Sequence, residues 1–152
     1  MGAMWRLSFL SRMKWIVPLL LRGLVGGAFF FVHGMNKICP GGEWDWGKAF
    51  ASKPDAPEFL LYIAAWTEFL GGAAILLGLL TRWAALGITG VMAYAIFGVH
   101  WHQGFAAHVA YGRMQGFELA AAFAAASLAL VFTGPGSISA DRILFRKSGA
   151  GY

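Results

Sequence analysis

Apolar residues gather into four runs along the chain, at about 15–32, 59–80, 83–99 and 116–132. The second is the clearest: from 59 to 80 it holds a single ionisable side chain, Glu68, near its middle. A helix of that length rises roughly 33 Å, enough to cross the hydrocarbon of a bilayer. The other runs lie near the short limit for a spanning helix, and their flanks extend them. The expected spans are 15–34, 58–80, 83–100 and 115–133. Only residues 81–83 separate the second run from the third, which makes those two helices an antiparallel pair joined too tightly to hold a site. Gly134, Pro135 and Gly136 stop the fourth helix. A short amphipathic turn is expected after it, with Asp141 and Arg142 outside and Ile143, Leu144 and Phe145 against the membrane. With no internal repeat or linker, residues 1–152 read as one all-α domain, an integral membrane four-helix bundle.

Composition supports lipid as the main solvent. Apolar residues make up 59% of the chain and charged ones 12%, about half the usual charged share of a soluble domain. The net charge of +5 comes from basic residues that flank the apolar runs, which is a feature of topology and not of nucleic-acid binding. One side would carry Arg6, Arg12, Lys14, Arg82, Arg142, Arg146 and Lys147, the other Lys37, Lys48, Lys53 and Arg113. The larger set marks the cytoplasmic side, so both termini are expected there. The basic N-terminus resembles a secretory signal, but Arg22 interrupts the apolar run, and the segment reads as an uncleaved first span. A single cysteine, Cys39, excludes a disulfide or a multi-cysteine metal site within this chain. The connection after the first span, with Trp44, Asp45, Trp46, Lys48 and Phe50, suits a piece lying at headgroup level.

The candidate chemistry lies in the few polar groups inside the spans. Arg22, Gly26, Phe29, His33 and Lys37 recur at helical steps, forming one stripe that climbs the first helix. A carboxylate in lipid needs pairing, protonation or a wet cavity. Glu68 and Arg22 fall at matching depths if His33 and Glu58 are level, and an Arg22–Glu68 ion pair is expected. Glu68 also shares a face with Gly71 and Gly72, where another helix can approach closely. On the fourth helix Glu118 shares a face with Ala122, Ala125 and Ala129, a small-residue stripe expected to point into protein. Two roles stand for Glu118: a polar clamp between helices, or a proton-transferring carboxylate at a pocket mouth. His100 and His102 form a His-x-His pair near the end of the third helix, and His108 follows in the loop. On a helix those two rings point about 200° apart, so they share a metal only if the helix has ended, and no metal site is assigned. Trp66, Phe69, Tyr94, Phe97, Trp101 and Phe117 read either as an interfacial belt or as walls for a quinone head.

Several motifs taken together resemble the DoxX-like membrane proteins. They are Arg22-x-x-x-Gly26 through His33-Gly34-x-x-Lys37, Glu68-x-x-Gly71-Gly72, and the run Gly78-Leu79-Leu80-Thr81-Arg82. His100 with Gly104-Phe105, then Glu118, then Gly134-Pro135-Gly136 with Ser139 and Asp141 complete the series. The resemblance implies a four-helix protein of the bacterial inner membrane. It also implies quinone-linked redox metabolism of the kind served by thiosulfate:quinone oxidoreductase, as a subunit beside a protein that carries the redox centre. On that reading Arg22, His33, Lys37, Glu68, His100 and Glu118 bind substrate at an outward-facing pocket. His33 and Glu118 are then the candidate catalytic groups, and a quinone is the candidate cofactor. The alternative is an accessory subunit of a respiratory or photosynthetic membrane complex, contributing surface and no chemistry.

Overall fold

The computed structural model describes residues 14–39, 46, 57–106, 108–110 and 113–144, with backbone alone for 108–110 and 113–115. Among the described residues three helices are long and apolar enough to cross a membrane: α1, Ile16–Ile38; α2, Glu58–Leu77; and α3, Thr81–Gln103. A fourth apolar helix, α4, spans Glu118–Thr133. Its 16 residues rise roughly 24 Å, short of the hydrocarbon thickness unless its flanks contribute. Between α3 and α4 runs a small antiparallel ribbon, β1 His108–Ala110 with β2 Arg113–Gln115, in which Val109 faces Met114. A short helix, α5, closes the described chain at Ala140–Leu144.

Identifiable chemistry bounds α2, opens α3 and ends α4. Pro57, extended at ψ 128°, precedes α2, and Glu58 places an acid in the first turn, where the helix dipole favours it. Gly78, at φ 70°, ends α2 in the left-handed conformation, and Leu79 N–H returns to the Ala74 carbonyl at 2.8 Å. Leu80 is also left-handed, at φ 47°, so the turn between α2 and α3 is residues 78–80 and not 81–83. Gly134 ends α4 as expected.

Two helices change winding near the same end of the molecule. In α1, residues Ala28–Gly34 are π-helical, and in α3, residues Ala95–His100 are. A π turn takes in one more residue than an α turn, so everything beyond it is rotated by about 100° relative to an unbroken helix.

The core is where α1 meets α2 and where α3 meets α4. Glycines permit the first contact. A Cβ on Gly72 would lie 2.5 Å from the Phe30 nitrogen, and one on Gly34 would lie 2.5 Å from the Phe69 Cα. Gly71 faces α3 instead, beside Ile88. Val25, Phe29, Ile75, Ala85, Ile88 and Leu130 are fully buried between the helices. Large apolar side chains cover the outside, with Trp83 and Phe132 each 74% exposed. In water such a surface would drive association; in a bilayer it faces acyl chains.

The buried face of α4 differs from the expected one. Ser127 and Leu130 are buried and Phe123 packs beside them, whereas Glu118, Ala122 and Ala125 are exposed. Because α4 is apolar on every side, periodicity alone could not choose its inner face. After Gly136, the turn of helix at residues 140–144 is present, but Asp141 is turned toward the protein. Ile143 is exposed, at 81%, and Phe145 lies outside the described residues. Of the connection expected at headgroup level only Trp46 is described, stacked on Tyr62 at 4.6 Å.

Candidate functional site

The charged residues inside the helices form two separate clusters. At one end, Arg22 is 4% exposed and surrounded by carbonyls. Its Nε donates to Ile75 O at 2.9 Å and its Nη2 to Leu76 O at 2.7 Å. Its Nη1 donates to Pro135 O at 3.0 Å and also to Ile138 O. Ile75 and Leu76 lie in the last turn of α2, where carbonyls lack the regular i+4 helical partner and the dipole is negative. Arg22 therefore caps α2 from α1 and ties both to the chain that follows α4. Asp141 completes the tie, accepting from Leu80 N–H at 2.6 Å and Thr81 N–H at 3.1 Å, while its own N–H donates to Gly78 O.

At the other end, Lys37 Nζ meets Glu68 Oε2 at 2.5 Å. The expected Arg22–Glu68 pair is thus replaced by a Lys37–Glu68 pair. The helix register gives the reason. α1 continues to Ile38, past the level assumed for its outer end, so Gly34 sits against Phe69 and Arg22 sits seven residues further along α2, at Ile75. Seven residues of helix span about 10 Å, too far for Arg22 to reach Glu68. The π segment above Gly27 then rotates Lys37 onto the acid.

The Lys37–Glu68 pair opens into a cavity of ≈ 250 Å³. His33, Lys37, Glu68 and His100 supply its polar lining. Met92 and Ala95 of α3, with Leu119, Ala120 and Phe123 of α4, supply its apolar walls. Phe29 supports His33 from below, with ring centroids 5.4 Å apart, and itself meets Phe123 edge-on at 5.2 Å. His33 and His100 each lie within a π segment, so the two changes of winding face one cavity.

The cavity brings together four of the six residues expected at a pocket and leaves out two. Arg22 belongs to the opposite cluster. Glu118 starts α4 on its exposed side, its N–H bonded to Phe105 O at 2.9 Å, and does not line the cavity. The six aromatics do not form its walls either. Trp66, Tyr94, Phe97 and Trp101 are exposed, Phe69 stacks on Phe30, and Phe117 stacks on Trp101 at 5.6 Å. His102 is exposed in a 3-10 turn and is not among the cavity-lining residues, and the side chain of His108 lies outside the described residues. Among the described residues no three His, Cys, Asp or Glu side chains gather as a metal centre would need.

Sequence reasoning passed over Gln103. Its Oε1 lies 2.7 Å from His100 Nδ1 and accepts a hydrogen bond from Gly116 N–H at 3.3 Å. A polar residue three positions after a histidine near a helix end was the available signal. Phe117 N–H donates to Gly104 O, and the Phe105 and Phe117 rings meet edge-on at 5.3 Å. These contacts hold the start of α4 against the end of α3 beside the cavity.

Comparison with curated proteins and with solved structures gives no significant match. The family profile of DoxX matches residues 17–101, more than half of the chain and all of α2. The matched region contains the Arg22 cap, the Lys37–Glu68 pair, His33 and His100. With its apolar helices and this profile match, the chain belongs to the DoxX family of membrane proteins.

Proposed function

We propose that the protein binds the head of a quinone in the cavity beside the Lys37–Glu68 pair and serves quinone-linked redox metabolism as a subunit of a larger assembly. The convergence of His33, Lys37, Glu68 and His100 from three helices into one apolar-walled cavity carries this reading. A quinone head needs apolar contact on its ring faces and polar groups at its two oxygens, and this lining offers both. The volume lies just below the roughly 300–1,000 Å³ of pockets that enclose drug-sized ligands, which suits a single ring. Bound there, a quinone supplies a two-electron, two-proton couple. The chain's part is to bind and orient the ring, to exclude bulk water, and to hold protons on imidazole and carboxylate groups at its edge. In this proposal α1 to α4 form a four-helix membrane bundle in the bacterial inner membrane, with both termini cytoplasmic and the cavity on the outward side.

The test is binding of a short-chain quinone to the purified protein in lipid nanodiscs, followed by tryptophan fluorescence. His33→Ala is expected to weaken binding about tenfold, the loss of one hydrogen bond, with thermal stability little changed. Unchanged affinity in this variant removes the site assignment. No binding of either the quinone or its quinol by the wild-type protein leaves the reading of an accessory structural subunit.

A further inference from the structure

We infer that Gln103 fixes the tautomer of His100 so that the cavity offers a hydrogen-bond acceptor there, which makes the site selective for a reduced, hydroxyl-bearing ring head. The inference rests on the quinone-binding reading and adds the oxidation state of the ligand to it.

A neutral imidazole has one N–H and one bare nitrogen, and the partner of one nitrogen decides the role of the other. Gln103 could in principle present either its oxygen or its NH2 group to His100. The Gly116 N–H removes that freedom: it is a donor, and it lies against Gln103 Oε1. An oxygen already receiving one N–H keeps a second lone pair for another donor. Nδ1 of His100, 2.7 Å away, is then the nitrogen that carries the proton. Nε2 is left bare, and no hydrogen bond to it forms among the described residues.

An oxidised quinone has only carbonyl acceptors. Set against a bare Nε2 it brings two lone pairs together and forms no bond. A quinol presents O–H, which donates to that nitrogen. Sites built around one hydrogen-bond role discriminate strongly against a ligand that lacks the matching group, because the site's own polar atom is left unpaired. Elsewhere in the lining the Lys37–Glu68 pair provides both a donor and an acceptor, so it accommodates either form and does not decide between them. Gln103 is thus a positioning residue, acting through His100. The ribbon and the start of α4 matter to ligand choice because Gly116 orients the amide.

Two measurements on the same nanodisc sample test this. The first uses 15N-histidine labelling at about pH 8, where an ordinary imidazole is neutral, with the His100 signal identified by its loss in His100→Phe. The expected spectrum has the proton on Nδ1 and an unprotonated Nε2, and Gln103→Leu shifts the population toward Nε2–H. The second compares a short-chain quinol, kept anaerobic, with its oxidised quinone. Wild-type protein is expected to bind the quinol at least about tenfold tighter, the worth of one hydrogen bond, and Gln103→Leu to reduce that ratio below about threefold. A wild-type His100 protonated on Nε2, or equal binding of the two ligands, overturns the inference while leaving quinone binding intact. If neither ligand binds, the functional reading fails and the selectivity with it.

Discussion

Lys37 and Glu68 are held 2.5 Å apart with side chains only 16% and 5% exposed, so little of either charge is met by water. Removing one partner of such a pair costs about 3–5 kcal/mol, chiefly because the other is stranded. Glu68→Lys is therefore expected to destabilise the protein severely. Adding Lys37→Glu restores an ion pair and should recover much of the loss, whereas adding Arg22→Glu should make matters worse. Thermal unfolding of the three variants in one detergent decides this, and rescue by Arg22→Glu would mean that the partners are misassigned. Arg22 has different work. A guanidinium has five N–H donors in a rigid fork, and here it serves four carbonyls from two stretches of chain. Both residues were conspicuous as charges inside apolar runs. Neither partner was legible, because carbonyl acceptors leave no mark on a sequence and the depth of a side chain depends on where its helix ends.

Helix α1 can lie close to α2 only because three glycines replace side chains along the contact. Gly26, Gly34 and Gly72 each leave too little room for a Cβ, with backbone atoms within 2.5–2.8 Å of it in every case. Backbone does not yield as a flexible side chain does, so Gly72→Ala must push the helices apart. A loss of about 1–3 kcal/mol, the usual range for overpacking, is expected in thermal or denaturant unfolding. Gly90→Ala provides the contrast, since nothing lies within 4 Å of its added Cβ, and it should be near neutral. Equal effects from the two substitutions would count against this packing. The glycine spacing was visible in the sequence and correctly marked a close approach. The π segments were not, for a one-residue change of winding leaves the apolar pattern almost unaltered.

For the molecule as a whole, the distribution of charge sets the expected orientation. The sequence assigns seven basic residues to the side of the termini and four to the side of the long connections, and under the positive-inside rule cytoplasmic termini are the expected arrangement. In that expected orientation the cavity opens outward. In a Cys39→Ser background, a cysteine at Gly104 should react with a membrane-impermeant maleimide added to intact cells. A cysteine at Ser137 should react only after the membrane is permeabilised. The opposite pattern would invert the molecule and direct the cavity toward cytoplasmic partners.

Length, apolar runs and flanking charges are local properties, and they sufficed to locate three helices long and apolar enough to cross a membrane, the order of motifs that carries the DoxX resemblance, and the polar residues that line the cavity. Which of those residues meet is a property of register. It followed from α1 running on to Ile38, from its π segment turning Lys37 onto Glu68, and from Gly116 orienting Gln103 across the gap between α3 and α4. A helix displaced by two turns along its neighbour keeps the same periodicity and hydropathy but exchanges every partner. That is why the polar groups could be found from the chain alone, while their pairing was decided only by the packed structure.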